Sequence, residues 1–273
     1  MPASIPAAAD SGGPLPSSLT VRREGAIAYL RLSRPDKRNA IDDSVVAGLG
    51  TFFATLPKDV RCVVLHAAGE HFCAGLDLSE LSERDVVEGM KHSASWHRNF
   101  QAIEFGPVPV VSVLHGAVVG GGLELACATH VRVAERSAYY ALPEGQRGIF
   151  VGGGGSVRLP RLIGASRMME MMLTGRTYDA DEGLALGISH YVVDNGHGLA
   201  KATELAQIIA ANEPLTNFAI QHALPRIGEA DPATGYLLES AMAAIAQDSP
   251  TAKARLKDFL EKRAPKVRHS RKT

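Results

Sequence analysis

VVGGGLELACA, residues 118–128, sets three glycines in a row inside an apolar run. One acid, Glu124, follows among Leu123, Leu125 and Ala126. Glycine is a weak former of helices and strands, and an ionised carboxylate is costly in a core. The run just before, VPVVSVLHG, is rich in β-branched residues and reads as a strand buried on both faces; LELACA reads as a helix. Glycines at such a junction leave the first helical N–H groups uncovered and let the backbone approach another group closely. Two uses are open: a tight packing turn, or a place where a ligand meets bare amides. A phosphate loop is excluded, because no Gly-Lys-Ser/Thr follows and no G-x-G-x-x-G register fits.

Working outward, strands and helices alternate. LTVRRE, AIAYLRL, VRCVVLHA, HVRVAE and HYVV read as strands. DDSVVAGLGTFFATL reads as a helix capped by an Asp, and the segment from Glu83 to Phe105 has helical spacing. From His197 onward everything reads helical, broken at Pro214 and around Pro232. The pattern predicts an α/β core over residues 18–200 and an all-helical part over 201–264. The small, Pro-rich segment 1–17 and the basic segment 265–273 are expected to be disordered tails.

The chain has 273 residues, 45% hydrophobic and 21% charged, with zero formal net charge. That balance is ordinary for a soluble globular protein and supplies no field for nucleic acid or a membrane surface. Cys62, Cys73 and Cys127 have no paired spacing and suit free thiols in a reducing compartment. The N-terminus lacks the charged start and apolar centre of a signal peptide, and no Arg precedes Arg22, so a cytoplasmic location is expected. Residues 105–128 are apolar, but Pro107, Pro109, His115 and Glu124 argue against a membrane span. After Glu261 the chain reads KRAPKVRHSRKT, with six Lys or Arg; it is either a solvated tail or, in its first part, a partner for a polyphosphate.

HFCAGLDL, residues 71–78, is a second glycine-broken loop after a buried strand. A turn at Gly75 would free the N–H of Leu76. Two such loops could aim the amides of Leu76 and Gly121 at one oxygen, an oxyanion hole worth about 3 kcal/mol per donor. Glu124 and Glu144 are the candidate acid/base pair. They stand twenty residues apart, so no single helix face presents both and the fold must bring them together. Apolar neighbours would raise their pKa values toward those suited to proton transfer near neutral pH. His66, Glu70, His71 and Cys73 match no usual zinc spacing, and no metal is expected. Ser156 has Arg158 where a nucleophile elbow needs glycine.

These motifs carry a resemblance. RPDKRNAID, HFCAGLDL, GAVVGGGLELA, LPEGQRGI followed by GGGG, and DADEGLALGI stand in the order found in the crotonase family, the enoyl-CoA hydratases and isomerases. The match runs from about Leu19 to Lys266. The resemblance implies a spiral of ββα units with a helical C-terminal oligomerisation region, forming a trimer or a hexamer of paired trimers. It implies an acyl-CoA substrate and no separate cofactor, coenzyme A being part of the substrate. Leu76 and Gly121 map onto the oxyanion donors, and Glu124 and Glu144 onto the catalytic acids. Lys37, Arg38, Ala40 and Ala74 would lie along the CoA moiety, with Asp77, Leu78, Gly120 and Pro143 also at the ligand. Both glutamates together point to hydration of a trans-2-enoyl-CoA. Double-bond isomerisation with Glu144 alone is the alternative, and a non-catalytic acyl-CoA binder a further one. His115 stands where the family's familiar hydratases have Asn, and GQRGIFV is bulky where the acyl pocket should close.

Overall fold

In this computed structural model of the protein, residues 15–77 and 84–263 are described. Strands β1 (Leu19–Glu24) and β2 (Ile27–Leu32) form an antiparallel hairpin. β3 (Cys62–Ala67), β4 (Val110–Leu114), β6 (Val131–Glu135) and β9 (Tyr191–Val193) then add in parallel, giving the order β1-β2-β3-β4-β6-β9. Parallel neighbours need crossovers; helices between the strands supply them on one face, and the helix that follows the last strand covers the other. That is why β3 and β4 are apolar runs without alternation: every residue of β4 and the first four of β3 are buried. One face carries Leu30, Val63, Leu65, Val110 and Leu114 into the main core with α1 (Asp43–Ala54) and α2 (Val86–Glu104). The other carries Tyr29, Val64, Val111 and Val133 against Ala202 and Ala206 of α7 (Gly198–Ala210).

The helix starts follow local chemistry. Asp42 caps α1 by accepting from the Val45 N–H, and Asp85 forms a capping box with Glu88 at the start of α2. The prolines that break the C-terminal helical pattern open new helices, where a missing N–H costs nothing. Pro214 begins α8 (Pro214–Ile227), Pro232 begins α9 (Pro232–Asp248) and Pro250 begins α10 (Pro250–Leu260).

A second sheet, of three strands, was not anticipated: β5 (Ala117–Val119), β7 (Tyr139–Ala141) and β8 (Tyr178–Asp179), in that order. The chain leaves β4, turns at His115 and Gly116, and enters β5 beside Cys73. β5 delivers the chain into α3 (Gly121–Cys127), which includes two of the three glycines. The remaining helices are α4 (Gly155–Ile163), α5 (Ala165–Thr174) and α6 (Ala180–Leu186).

The chain divides into two units, one ending at Ala211 and one beginning at Asn212. The expected boundary at residue 200 therefore falls inside α7, which packs on the sheet and belongs to the first unit. In the second unit α9 packs against both α8 and α10. Of the expected tails, residues 1–14 and 264–273 lie outside the described residues. Leu15 packs against the core, and the carbonyl of Pro16 accepts from the Leu19 N–H at 2.8 Å. Among the described residues no helix is long and apolar enough to cross a membrane.

Candidate active site

The two glycine-broken loops meet. Cys73 pairs with Val118 in a parallel bridge, so the loop after β3 runs beside β5. A Cβ added to Gly75 would lie 3.6 Å from the Gly121 nitrogen, and one added to Gly121 would lie 3.6 Å from the Leu76 nitrogen. Neither the Leu76 nor the Gly121 amide donates to a hydrogen bond among the described residues. Gly120, at φ 54°, turns the chain between strand and helix; a side chain there would meet Glu144 Oε1 at 2.7 Å. Glycine is thus required twice over at this position, by conformation and by space.

Glu124 sits in the first turn of α3 and is 3% exposed. Its Oε1 accepts from the N–H groups of Gly153 (2.8 Å) and Gly155 (2.7 Å), which precede and open α4. Burial pushes its carboxyl up, while those amides and the nearby Arg158 oppose the shift by favouring the ionised form. Arg158 is itself held by Glu104 (Nε to Oε2, 2.7 Å) and donates to the Gly153 carbonyl at 3.0 Å. Glu144 lies just beyond β7 and differs. Its Oε2 is buried with no hydrogen-bond partner among the described residues. Burial, together with the charge of Glu124, pushes its carboxyl up to about 7 against weaker opposition from a backbone N–H and Arg147. Both carboxyls are therefore pushed up, but they differ in their partners: Glu124 is held by two amides that favour its ionised form, while Glu144 Oε2 has no donor among the described residues.

Both open on one cavity of about 460 Å³, which is also lined by Ala74, Leu76, Gly120 and Gly121. Six of the sequence-derived site residues thus converge. Lys37, Arg38, Ala40, Asp77 and Pro143 do not line this cavity. Leu78 lies outside the described residues. Asp77 is tied to Arg34, Nη2 to Oδ2 at 2.6 Å, and Arg34 also holds Asp42 at 2.8 Å, a link between the first loops. Asn39 is buried at φ 54° and donates to the carbonyls of Ala68 (2.8 Å) and His71 (2.7 Å), which fixes the turn bearing Lys37 and Arg38. That turn reaches the cavity edge through one bond, from the Ala74 N–H to the Arg38 carbonyl at 3.0 Å. His115 faces elsewhere, with its Nε2 3.1 Å from the Gly69 carbonyl.

The sequence reading missed the contribution of α2. His92, Ser93 and Trp96 line the cavity. Asp43 Oδ1 accepts from Trp96 Nε1 at 3.0 Å and pairs with His92 Nε2 at 2.8 Å. The Ser93 hydroxyl donates to the Gly152 carbonyl at 2.7 Å, fixing the loop before α4. Among the described residues no three His, Cys, Asp or Glu side chains cluster as a metal site would require.

Comparison with known proteins follows from this geometry. The family model described as Enoyl-CoA hydratase/isomerase matches residues 22–270. The chain is similar to the short-chain-enoyl-CoA hydratase of Clostridium acetobutylicum, 30% identical over 250 residues, covering 90% of this chain and 96% of that one. It is similar to the mouse mitochondrial enoyl-CoA hydratase domain-containing protein 2, at 36% identity over 91% of this chain and 86% of the relative. A crystal structure from Rhodopseudomonas palustris, provisionally named an enoyl-CoA hydratase, is 57% identical with a TM-score of 0.88, covering 90% of this chain and 95% of that one.

Proposed function

The chain belongs to the enoyl-CoA hydratase/isomerase family, and we propose that within it the protein hydrates the 2,3-double bond of a trans-2-enoyl-CoA. The observation that carries this reading is the pair of unlike carboxyls opening on one cavity beside two undonated amides. The thioester oxygen would sit between the Leu76 and Gly121 N–H groups, which take up its negative charge as the β-carbon is attacked. Glu124, the carboxyl that accepts from the Gly153 and Gly155 amides, takes a proton from water and directs the oxygen to the β-carbon. Glu144, the neutral acid, protonates the α-carbon as the enolate collapses. The step balances: one C–O and one C–H bond form, one C=C π bond and one O–H bond of water are broken, and the proton gained by Glu124 is returned through solvent to Glu144 before the next turnover. Lys37, Arg38 and Ala74 are assigned to the CoA moiety, with the substrate supplying the coenzyme. The direct test is the fall in conjugated-thioester absorbance when enzyme is added to crotonyl-CoA or a longer homologue; no fall at any chain length would refute hydration.

The acid role of Glu144 fixes a pH dependence. Its protonated form is lost as pH rises through about 7. The expected kcat/KM for hydration therefore falls about tenfold per pH unit above that value. A profile flat from pH 6 to 9 would contradict the assignment.

The exposed apolar residues of the second unit bear on assembly. Phe218, Ile220 and Leu224 on α8, Tyr236 and Leu237 on α9, and Phe259 and Leu260 on α10 are all exposed. Large exposed apolar patches usually mark association, and we assign these helices to a homotrimer, single or paired into a hexamer. Light scattering at micromolar concentration is expected to give three or six times 29.0 kDa. An active monomer would refute the assignment.

A further inference from the structure

Beyond the carboxyls and amides, the cavity wall carries two guanidinium groups that the proposed hydration does not use. Arg84 stands just before α2, half-buried, and Arg147 ends the short turn that begins at Glu144. Both line the cavity; neither makes an ion pair among the described residues, and the Arg147 guanidinium acts on the Glu144 carboxyl through its charge without a hydrogen bond to it. Arg34 and Arg158, which brace the loops around the cavity, are matched: Arg34 by Asp42 and Asp77, Arg158 by Glu104. An arginine held at a cavity wall without a carboxylate is a ready partner for one from a ligand, because its planar fork binds a carboxylate through two parallel hydrogen bonds.

Two anionic groups could come to it, a phosphate of coenzyme A or a carboxylate on the acyl chain. The phosphates have their own cations on the proposed reading. Lys37 and Arg38 are exposed on the turn that bonds to Ala74, at the Leu76 side of the cavity. Arg84 and Arg147 line the cavity itself, which Lys37 and Arg38 do not. Trp96, Phe150 and Val151 line the same cavity and offer apolar surface suited to methylene groups. We infer that the acyl group ends in a second carboxylate: the substrate class is the monothioester of an unsaturated dicarboxylic acid, its methylenes against that surface and its free carboxylate on Arg84 and Arg147. This rests on the reading of the cavity as an acyl-CoA site.

The test uses saturated ligands, so that it does not depend on turnover. Calorimetric titration of the whole protein compares hexanoyl-CoA with hexanedioyl-CoA, which share the coenzyme and the carbon count. The carboxylated ligand is expected to bind at least about tenfold more tightly, a single charge-assisted pair being worth roughly that ratio. The variant carrying Arg84→Met and Arg147→Met is expected to lose the preference. Equal affinity of the unaltered protein for both ligands overturns the inference without any variant. So does an equal loss for both ligands in the variant, which would place the guanidinium groups on the CoA phosphates. Failure to hydrate any enoyl-CoA, with the binding preference intact, would overturn the proposed reaction and leave this inference standing.

Discussion

Glu144→Gln is expected to lower kcat/KM for hydration by about 10³-fold, and Glu124→Gln by a similar factor. Glutamine keeps the volume of each side chain, so the fold is retained. At position 144 the amide cannot donate an acidic proton. At position 124 its carbonyl oxygen can still accept from Gly153 and Gly155, but it is too weak a base to activate water. The two variants also separate the reactions open to this family. An isomerase that shuttles one proton with Glu144 alone would tolerate Glu124→Gln, whereas hydration requires both groups. Steady-state rates with a 2-enoyl-CoA and a 3-enoyl-CoA, measured on both variants, check this. Hydration within tenfold of the unaltered protein in either variant would overturn the assigned roles.

Gly122→Ala is expected to cost about 3 kcal/mol of stability, at the upper end of what overpacking usually costs. The added Cβ would lie 2.4 Å from the Cys73 carbonyl oxygen, with Cys73 Cβ at 2.8 Å and Sγ at 2.9 Å. Cys73 cannot step aside. Its carbonyl accepts from the Val119 N–H at 3.0 Å, and its own N–H donates to the Ala117 carbonyl at 2.9 Å. Any shift there moves the loop that carries Leu76. Gly89→Ala serves as the opposite case. Gly89 lies inside α2 with nothing within 4 Å of an added Cβ, and the substitution should stabilise by up to about 1 kcal/mol through helix propensity. Urea denaturation midpoints at constant slope measure both. A neutral Gly122→Ala would show that the two loops are not locked together.

The sequence made some of this legible because the signals were local. β3 and β4 are long apolar runs, and only a sheet covered on both faces needs them. The glycine loops and the two glutamates stood out because bare backbone and isolated acids are anomalous in apolar surroundings. The second sheet did not stand out, since β5 and β7 have three residues each and β8 two, too short for any period. The contribution of α2 was hidden for another reason. His92 and Ser93 look like residues of a solvated face, and helical spacing does not say which neighbour a face will meet. The Arg34–Asp77 pair joins residues 43 positions apart, a distance at which charge patterning carries no information. The boundary after residue 200 was misplaced because α7 and the helices beyond it share one composition, while only α7 has the sheet to cover.

The three cysteines lie in very different parts of the architecture: Cys62 in a central strand, Cys73 in the loop before Leu76, and Cys127 at the end of α3. Burial pushes their thiols up to about 12, 12 and 11, so the reactive thiolate is almost absent while the protein is closed. Cys73 Sγ also accepts from the Gly75 N–H at 3.3 Å, which ties its accessibility to the stretch of backbone assigned to the thioester oxygen. Modification of each sulfur by a thiol reagent therefore requires an opening event, and single-cysteine variants turn the reaction into three separate clocks. The clock at Cys62 runs with global unfolding of the sheet. The clock at Cys73 times the breathing of the loop itself, and an acyl-CoA that settles on Leu76 and Gly121 should slow it.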